Sequence, residues 1–153
     1  PHSVYLCVLG GAGSDIAKVL AEQKTLGAGV NGDTTITYYD PEVDYNYDYL
    51  IQRPNFVDID VQVQYAANSY TPADVNSQII TTLINWVAEN PFKIKQTVAG
   101  NELAKAFNGF NQITLLSVKI RIHGAESWSD YVAMNISQVP VLSKSNIVVE
   151  AIE

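Results

Sequence analysis

Phe56, Val57, Ile59, Val61, Val63 and Tyr65 alternate with Asp58, Asp60, Gln62 and Gln64. A period of two throws successive side chains to opposite sides, so this stretch reads as a strand with one apolar and one wet face. The apolar face needs a cover, and the next stretch supplies one. Thr71-Pro72-Ala73-Asp74 reads as a helix start in which Thr71 caps, Pro72 sits where its missing donor does no harm, and Asp74 completes a capping box. From there to Glu89, Val75, Ile79, Leu83, Ile84, Trp86 and Val87 lie along one stripe, and Asn90-Pro91 ends the helix. That stripe is core.

A shorter helix is expected over Asn101 to Phe107, presenting Leu103 and Phe107 before the Asn108-Gly109 stop. Ile113 to Ile122 reads as a strand with Leu116, Val118, Ile120 and Ile122 inward and Lys119 and Arg121 outward. Two more strands are expected at Tyr131 to Ser137 and Asn146 to Ile152. Residues 54–153 therefore read as an α+β subdomain, a sheet packed with one long and one short helix.

Ahead of it, Val4 to Leu9 is a continuous apolar run stopped by Gly10-Gly11, which reads as a buried strand. A helix capped by Ser14 or Asp15 follows, with Ile16, Val19, Leu20 and Gln23 at helical spacing until Gly27 and Gly29. Thr34 to Tyr39 and Tyr45 to Ile51 are rich in β-branched and aromatic residues and flank Asp40-Pro41-Glu42, as in a hairpin. Arg53-Pro54 breaks the pattern and is taken as the boundary of a first subdomain, residues 1–53, of strand, helix and hairpin. The fold class is α+β, in two small subdomains.

The chemistry-bearing residues are sparse. A formal charge of −7 argues against nucleic-acid and anionic-membrane partners. Apolar runs all fall short of a membrane span. Cys7 lies within the first apolar run and reads as a small buried hydrophobe. Gly10-Gly11-Ala12-Gly13 invites a phosphate-loop reading, but no Gly-Lys-Ser/Thr follows and the third Gly of a dinucleotide fingerprint is missing. His2 and His123 with one Cys fall short of a zinc set. A hydrolase would have to rest on His123 with Ser14, Ser127 or Ser129, without a Gly-x-Ser-x-Gly elbow, and His123 reads as a strand-end residue. Asp40, Glu42, Asp44, Asn46 and Asp48 have the alternation of a calcium loop, but Tyr45 stands at its Gly position and Ile51 at its bidentate Glu. No catalytic, cofactor or metal residue is therefore assigned. The tyrosines say more: Tyr38, Tyr39, Tyr45, Tyr47 and Tyr49 concentrate aromatic area in one hairpin, and Tyr45, Tyr47 and Tyr49 are the candidate protein-interface residues.

Taken in order, these features resemble the baseplate J-like family of contractile-tail phages and related injection machines. Val4 to Gly11 is similar to its apolar strand ending in a Gly pair, and Ile16 to Leu20 to the short helix after it. Lys24-Thr25-Leu26-Gly27-Ala28-Gly29-Val30-Asn31-Gly32-Asp33-Thr34 is similar to the family's Gly-x4-Gly segment, and Arg53-Pro54 to its Arg-Pro after the hairpin. The alternating strand and the Thr71-Pro72 helix follow in sequence, so the resemblance covers residues 3–123. After the long helix the chain departs from the family's Gly-containing turn with Glu89-Asn90-Pro91-Phe92-Lys93-Ile94. Members are commonly longer, and the chain is read as a C-terminal fragment.

The resemblance implies a structural baseplate wedge protein with no catalytic residue. It would be present in several symmetric copies, bound to other baseplate and tail proteins, and located in the virion after assembly in the bacterial host cytoplasm. The alternatives are a small-molecule, nucleotide or Ca²⁺-binding module using the Gly10-Gly13 turn or the acidic hairpin, and an adhesive domain presenting the tyrosines.

Overall fold

The computed structural model describes residues 3–23 and 29–152. The expected helix end at Gly27 and most of the Lys24 to Gly29 segment, like His2, lie outside the described residues. The fold is α+β, and the chain divides into two compact units, Pro1–Asn55 and Phe56–Glu153. Among the described residues, no helix is long and apolar enough to cross a membrane.

In the first unit, β1 (Ser3–Tyr5) leads to α1 (Gly13–Gln23), β2 (Gly29–Asn31), β3 (Thr34–Asp40) and β4 (Tyr45–Ile51). β1 pairs in parallel with β2, and β3 with β4 antiparallel over their whole lengths. The expected buried strand over Val4 to Leu9 is a correction. Only Ser3–Tyr5 is regular strand, and Val4, Tyr5 and Leu9 are exposed. After Tyr5 the chain pairs instead with Gln52, through hydrogen bonds Gln52 N–H to Leu6 O (2.8 Å) and Val8 N–H to Gln52 O (3.0 Å). Cys7 is half-buried rather than buried. Burial, and then the nearby charge of Asp33, raise its thiol pKa.

Ala17, Ile36 and Ile51 form this unit's core, with Leu6, Val8, Ile16, Leu20, Tyr38 and Tyr49 packed around them. The helix thus faces the hairpin through Ile16, Ala17 and Leu20, and Val19, expected on the stripe, is 55 % exposed. A small Ala at the centre of the contact lets the helix approach the ribbon closely.

The second unit is built on β5 (Asn55–Ala67), which continues into α2 (Val75–Glu89), β6 (Thr97–Ala99) and α3 (Gly100–Ala104). A 3-10 turn, Lys105–Phe107, extends α3, and β7 (Ile113–Ile122), β8 (Tyr131–Ala133), β9 (Gln138–Val141) and β10 (Ile147–Ala151) follow. β5 pairs antiparallel with β7 along one edge and parallel with β10 along the other, and β9 also pairs with β5. Ile59, Val61, Val63 and Tyr65 supply the covered face, and Val75, Ile79 and Leu83 of α2 cover it. Leu103 and Phe107 close the core from the short helix.

The expected capping box does not form. The helix begins at Val75, and Asp74 stands at its N-cap without a side-chain cap. Thr71 Oγ1 instead donates to Gln112 O (2.5 Å) and accepts from the Asn68 amide (2.8 Å), tying the turn before α2 to the start of β7. Leu116 and Ile122, expected inward, are 51 % and 44 % exposed. The register explains Leu116: Gln64 faces Ser117 but Tyr65 faces Leu115, so Leu116 is the extra residue of a β-bulge. A bulge shifts the alternation by one, which turns Ile113 and Leu115 to the core instead. Ile122 lies at the strand's open end. The strand expected to run to Ser137 stops at Ala133, and Gln138–Val141, not anticipated, contains Pro140.

Candidate functional site

In the β3–β4 ribbon, directly paired residues share a face. Thr34 and Ile51, Ile36 and Tyr49, Tyr38 and Tyr47, and Asp40 and Tyr45 pair along the face that meets α1. The helix reaches only the first part of it. Ile36 and Ile51 are buried, Tyr38 and Tyr49 pack at the rim of the core, and beyond them the ribbon projects. Of the three candidate tyrosines, Tyr45 and Tyr47 face outward, 60 % and 39 % exposed, in edge-to-face contact with ring centroids 5.0 Å apart. Tyr49 is half-buried. Burial, then the neighbouring Tyr47 and Tyr38, raise its phenol pKa. Tyr39 emerges on the opposite face, 53 % exposed.

The hairpin carboxylates are spread over both faces and support the ribbon. Asp44, in the left-handed region at φ 51°, accepts from the Tyr39 hydroxyl (2.8 Å). Asp48 accepts from Thr37 Oγ1 (2.6 Å), and Asp40 Oδ1 from the Glu42 amide (3.0 Å). Hydrogen bonding to Asp44, then desolvation and the charge of Asp40, raise the Tyr39 pKa. Among the described residues no group of three or more His, Cys, Asp or Glu is placed to hold a metal ion.

The Gly10-Gly13 turn is built around a cation of the chain itself. Gly10 and Gly11 take φ of 73° and 75°, which glycine adopts without strain. The guanidinium of Arg53 donates to the carbonyls of Val8 (3.2 Å), Gly10 (2.5 Å) and Gly11 (3.0 Å). A phosphate cradle offers backbone N–H groups to its ligand. This turn aims carbonyls, the opposite polarity, and its occupant is Arg53.

A second cluster escaped the sequence reading. Asp60, assigned to the wet face, is 4 % exposed. Its Oδ2 accepts from Arg121 Nε (2.8 Å) and its Oδ1 meets His123 Nδ1 (2.6 Å). Asp60 and Arg121 are cross-strand partners, and the Arg121 guanidinium sits over the Trp128 ring, 4.3 Å from Cζ to the ring centroid. Burial works to raise the carboxyl's pKa. The hydrogen bonds and charges of His123 and Arg121 outweigh it and hold Asp60 below the ordinary carboxylate range. An ionised Asp60 makes His123 Nδ1 the donor. His123, at the strand end as expected, keeps its side chain 61 % exposed. Through these two bonds the cluster ties β5 to the end of β7. Alternation signals a face and not what covers it, so only the facing charges of Asp60 and Arg121 could have hinted at the pair.

The second unit also carries an open groove of about 820 Å³ between the end of α2 and α3. Trp86, Phe92 and Leu103 line it, with Glu102 and Lys105 paired at its rim (2.6 Å). No protein-family model matches the chain, and no curated protein matches it.

Proposed function

We propose that the chain is part of a structural baseplate wedge protein of a contractile tail or related injection machine, working by assembly with neighbouring tail proteins. The observation that carries the reading is the clamp of Arg53 on Gly10 and Gly11. Two of the segments on which the resemblance rests are a Gly pair after the first strand and an Arg-Pro after the hairpin. These signatures lie 42 residues apart and meet as one device that fixes the base of the hairpin. The outward Tyr45 and Tyr47 then stand on a fixed ribbon, as an assembly contact requires. Its site of action is the virion tail after assembly in the host cytoplasm, and its partners are other baseplate and tail proteins. The Arg53-filled turn and the divided carboxylates favour no second reading.

The test is to purify tail particles on a density gradient from the cells that encode the chain and to identify their polypeptides by mass spectrometry. The reading expects the chain's peptides in the particle fraction, in constant ratio to sheath and tube proteins. Intact particles that lack them would overturn it.

A further inference from the structure

Residues 29–52 carry Asp33, Asp40, Glu42, Asp44 and Asp48 and no Lys, Arg or His. Among the described residues, none of the four tip carboxylates, at 40, 42, 44 and 48, is paired with a cation. On the face where Tyr45 and Tyr47 stand outward, Asp40 lies directly across from Tyr45. Aromatic faces and a carboxylate at one end of a projecting ribbon are what a guanidinium needs: a ring to stack on and an acceptor for its N–H fork. Lysine, a compact and strongly hydrated charge, gains less from the ring.

We infer that the outer end of the β3–β4 hairpin docks an arginine-bearing basic segment of a partner polypeptide, which stacks on Tyr45 and Tyr47 and pairs with Asp40. The occupant is identified by charge complementarity. The tip concentrates negative charge with nothing of its own to neutralise it, and a cationic partner relieves that repulsion while covering the exposed rings. This names the partner chemistry of the surface invoked above and rests on the assembly reading for its biological setting. Its chemistry is testable without a tail particle.

The experiment titrates the full chain with a peptide of four arginines spaced by glycines, followed by amide chemical shifts and calorimetry, and repeats it with the lysine counterpart. Saturable binding is expected, centred on Tyr38, Asp40, Tyr45 and Tyr47, stronger for arginine than for lysine and weakened by salt. The double variant Tyr45→Ala, Tyr47→Ala should lose about tenfold in affinity, the product of two exposed cation–aromatic contacts. Asp40→Asn, which keeps the side-chain shape, should weaken binding as well and guards against a folding artefact. Shifts spread over all acidic surfaces and indifferent to these variants would overturn the inference, as would an absence of saturation at millimolar peptide. Ca²⁺ alone reproducing the same shifts would also overturn it, by making the tip a metal site. A negative titration with the chain present in particles would refute the docking chemistry and leave the assembly reading standing; the converse pattern would do the reverse.

Discussion

Removing the Asp60 carboxylate should destabilise the second unit by about 2 kcal/mol. A hydrogen bond to a charged group contributes ~1.5–3 kcal/mol, and stranding a fully buried partner costs ~3–5 kcal/mol. The larger figure does not apply, because the Arg121 and His123 side chains are 27 % and 61 % exposed and regain water when Asp60 leaves. The Arg121 bond therefore contributes ~1.5 kcal/mol and the more exposed His123 bond ~0.5 kcal/mol. For a unit of roughly 100 residues the sum lowers Tm by about 10 °C. Trp86 and Trp128, the chain's two tryptophans, both lie in this unit, so their fluorescence during urea unfolding reads it alone. The variants are Asp60→Asn, which keeps the shape and places an amide against a donor, and Asp60→Ala. The pH dependence follows from the depressed carboxyl pKa. Its stabilisation is complete above the ordinary carboxylate range, about pH 4, and is lost as pH falls through the lower folded value. The gap between wild type and Asp60→Asn should close only in that acid window. Losses below ~0.5 kcal/mol at neutral pH in both variants would refute the clamp.

Leu83, fully buried under the sheet, should cost about 3 kcal/mol when cut to Ala, read by the same unfolding curves; a loss below ~0.5 kcal/mol would mean that the stripe is misplaced. Arg53→Ala should release the Val8, Gly10 and Gly11 carbonyls and destabilise the first unit by ~1–2 kcal/mol. Hydrogen exchange of α1 amides should then accelerate, and unchanged protection would argue against the clamp. Cys7, its thiol pKa raised, should react with iodoacetamide at pH 8 more slowly than a free peptide thiol; equal rates would contradict the burial that raises it.

Regular elements were legible where the local pattern is also the cause of the structure. β5 and α2 follow from periods of 2 and 3.6, and the β3–β4 ribbon from two β-rich runs around a Pro turn. What was not legible depends on distant partners. Leu116 turns outward because of a mismatch with β5. Thr71 is claimed by Gln112 before it can cap a helix. Asp60 is buried by groups that lie 61 and 63 residues further along the chain. Tyr45 and Tyr47 were legible as candidates by composition alone. Their separation from Tyr49 required knowing where α1 stops, which no tyrosine spacing encodes. Val4 and Tyr5 look like core by hydropathy, yet they sit in a two-stranded pair.

β5 opens the second unit, and β10, its parallel neighbour, closes it: Ile147 pairs with Val61 and Ala151 with Tyr65. During synthesis the first unit's helix and ribbon have the partners described above once Arg53 is made, so they can fold while the rest is still being made. The second unit must wait. Until its final strand leaves the ribosome, the long strand at its heart offers an unpaired flank to any other nascent chain nearby. Under the assembly proposal, in which many copies are made side by side, that interval is when a wrong partner competes best. Retiring the hazard falls to β10, the strand that covers that flank.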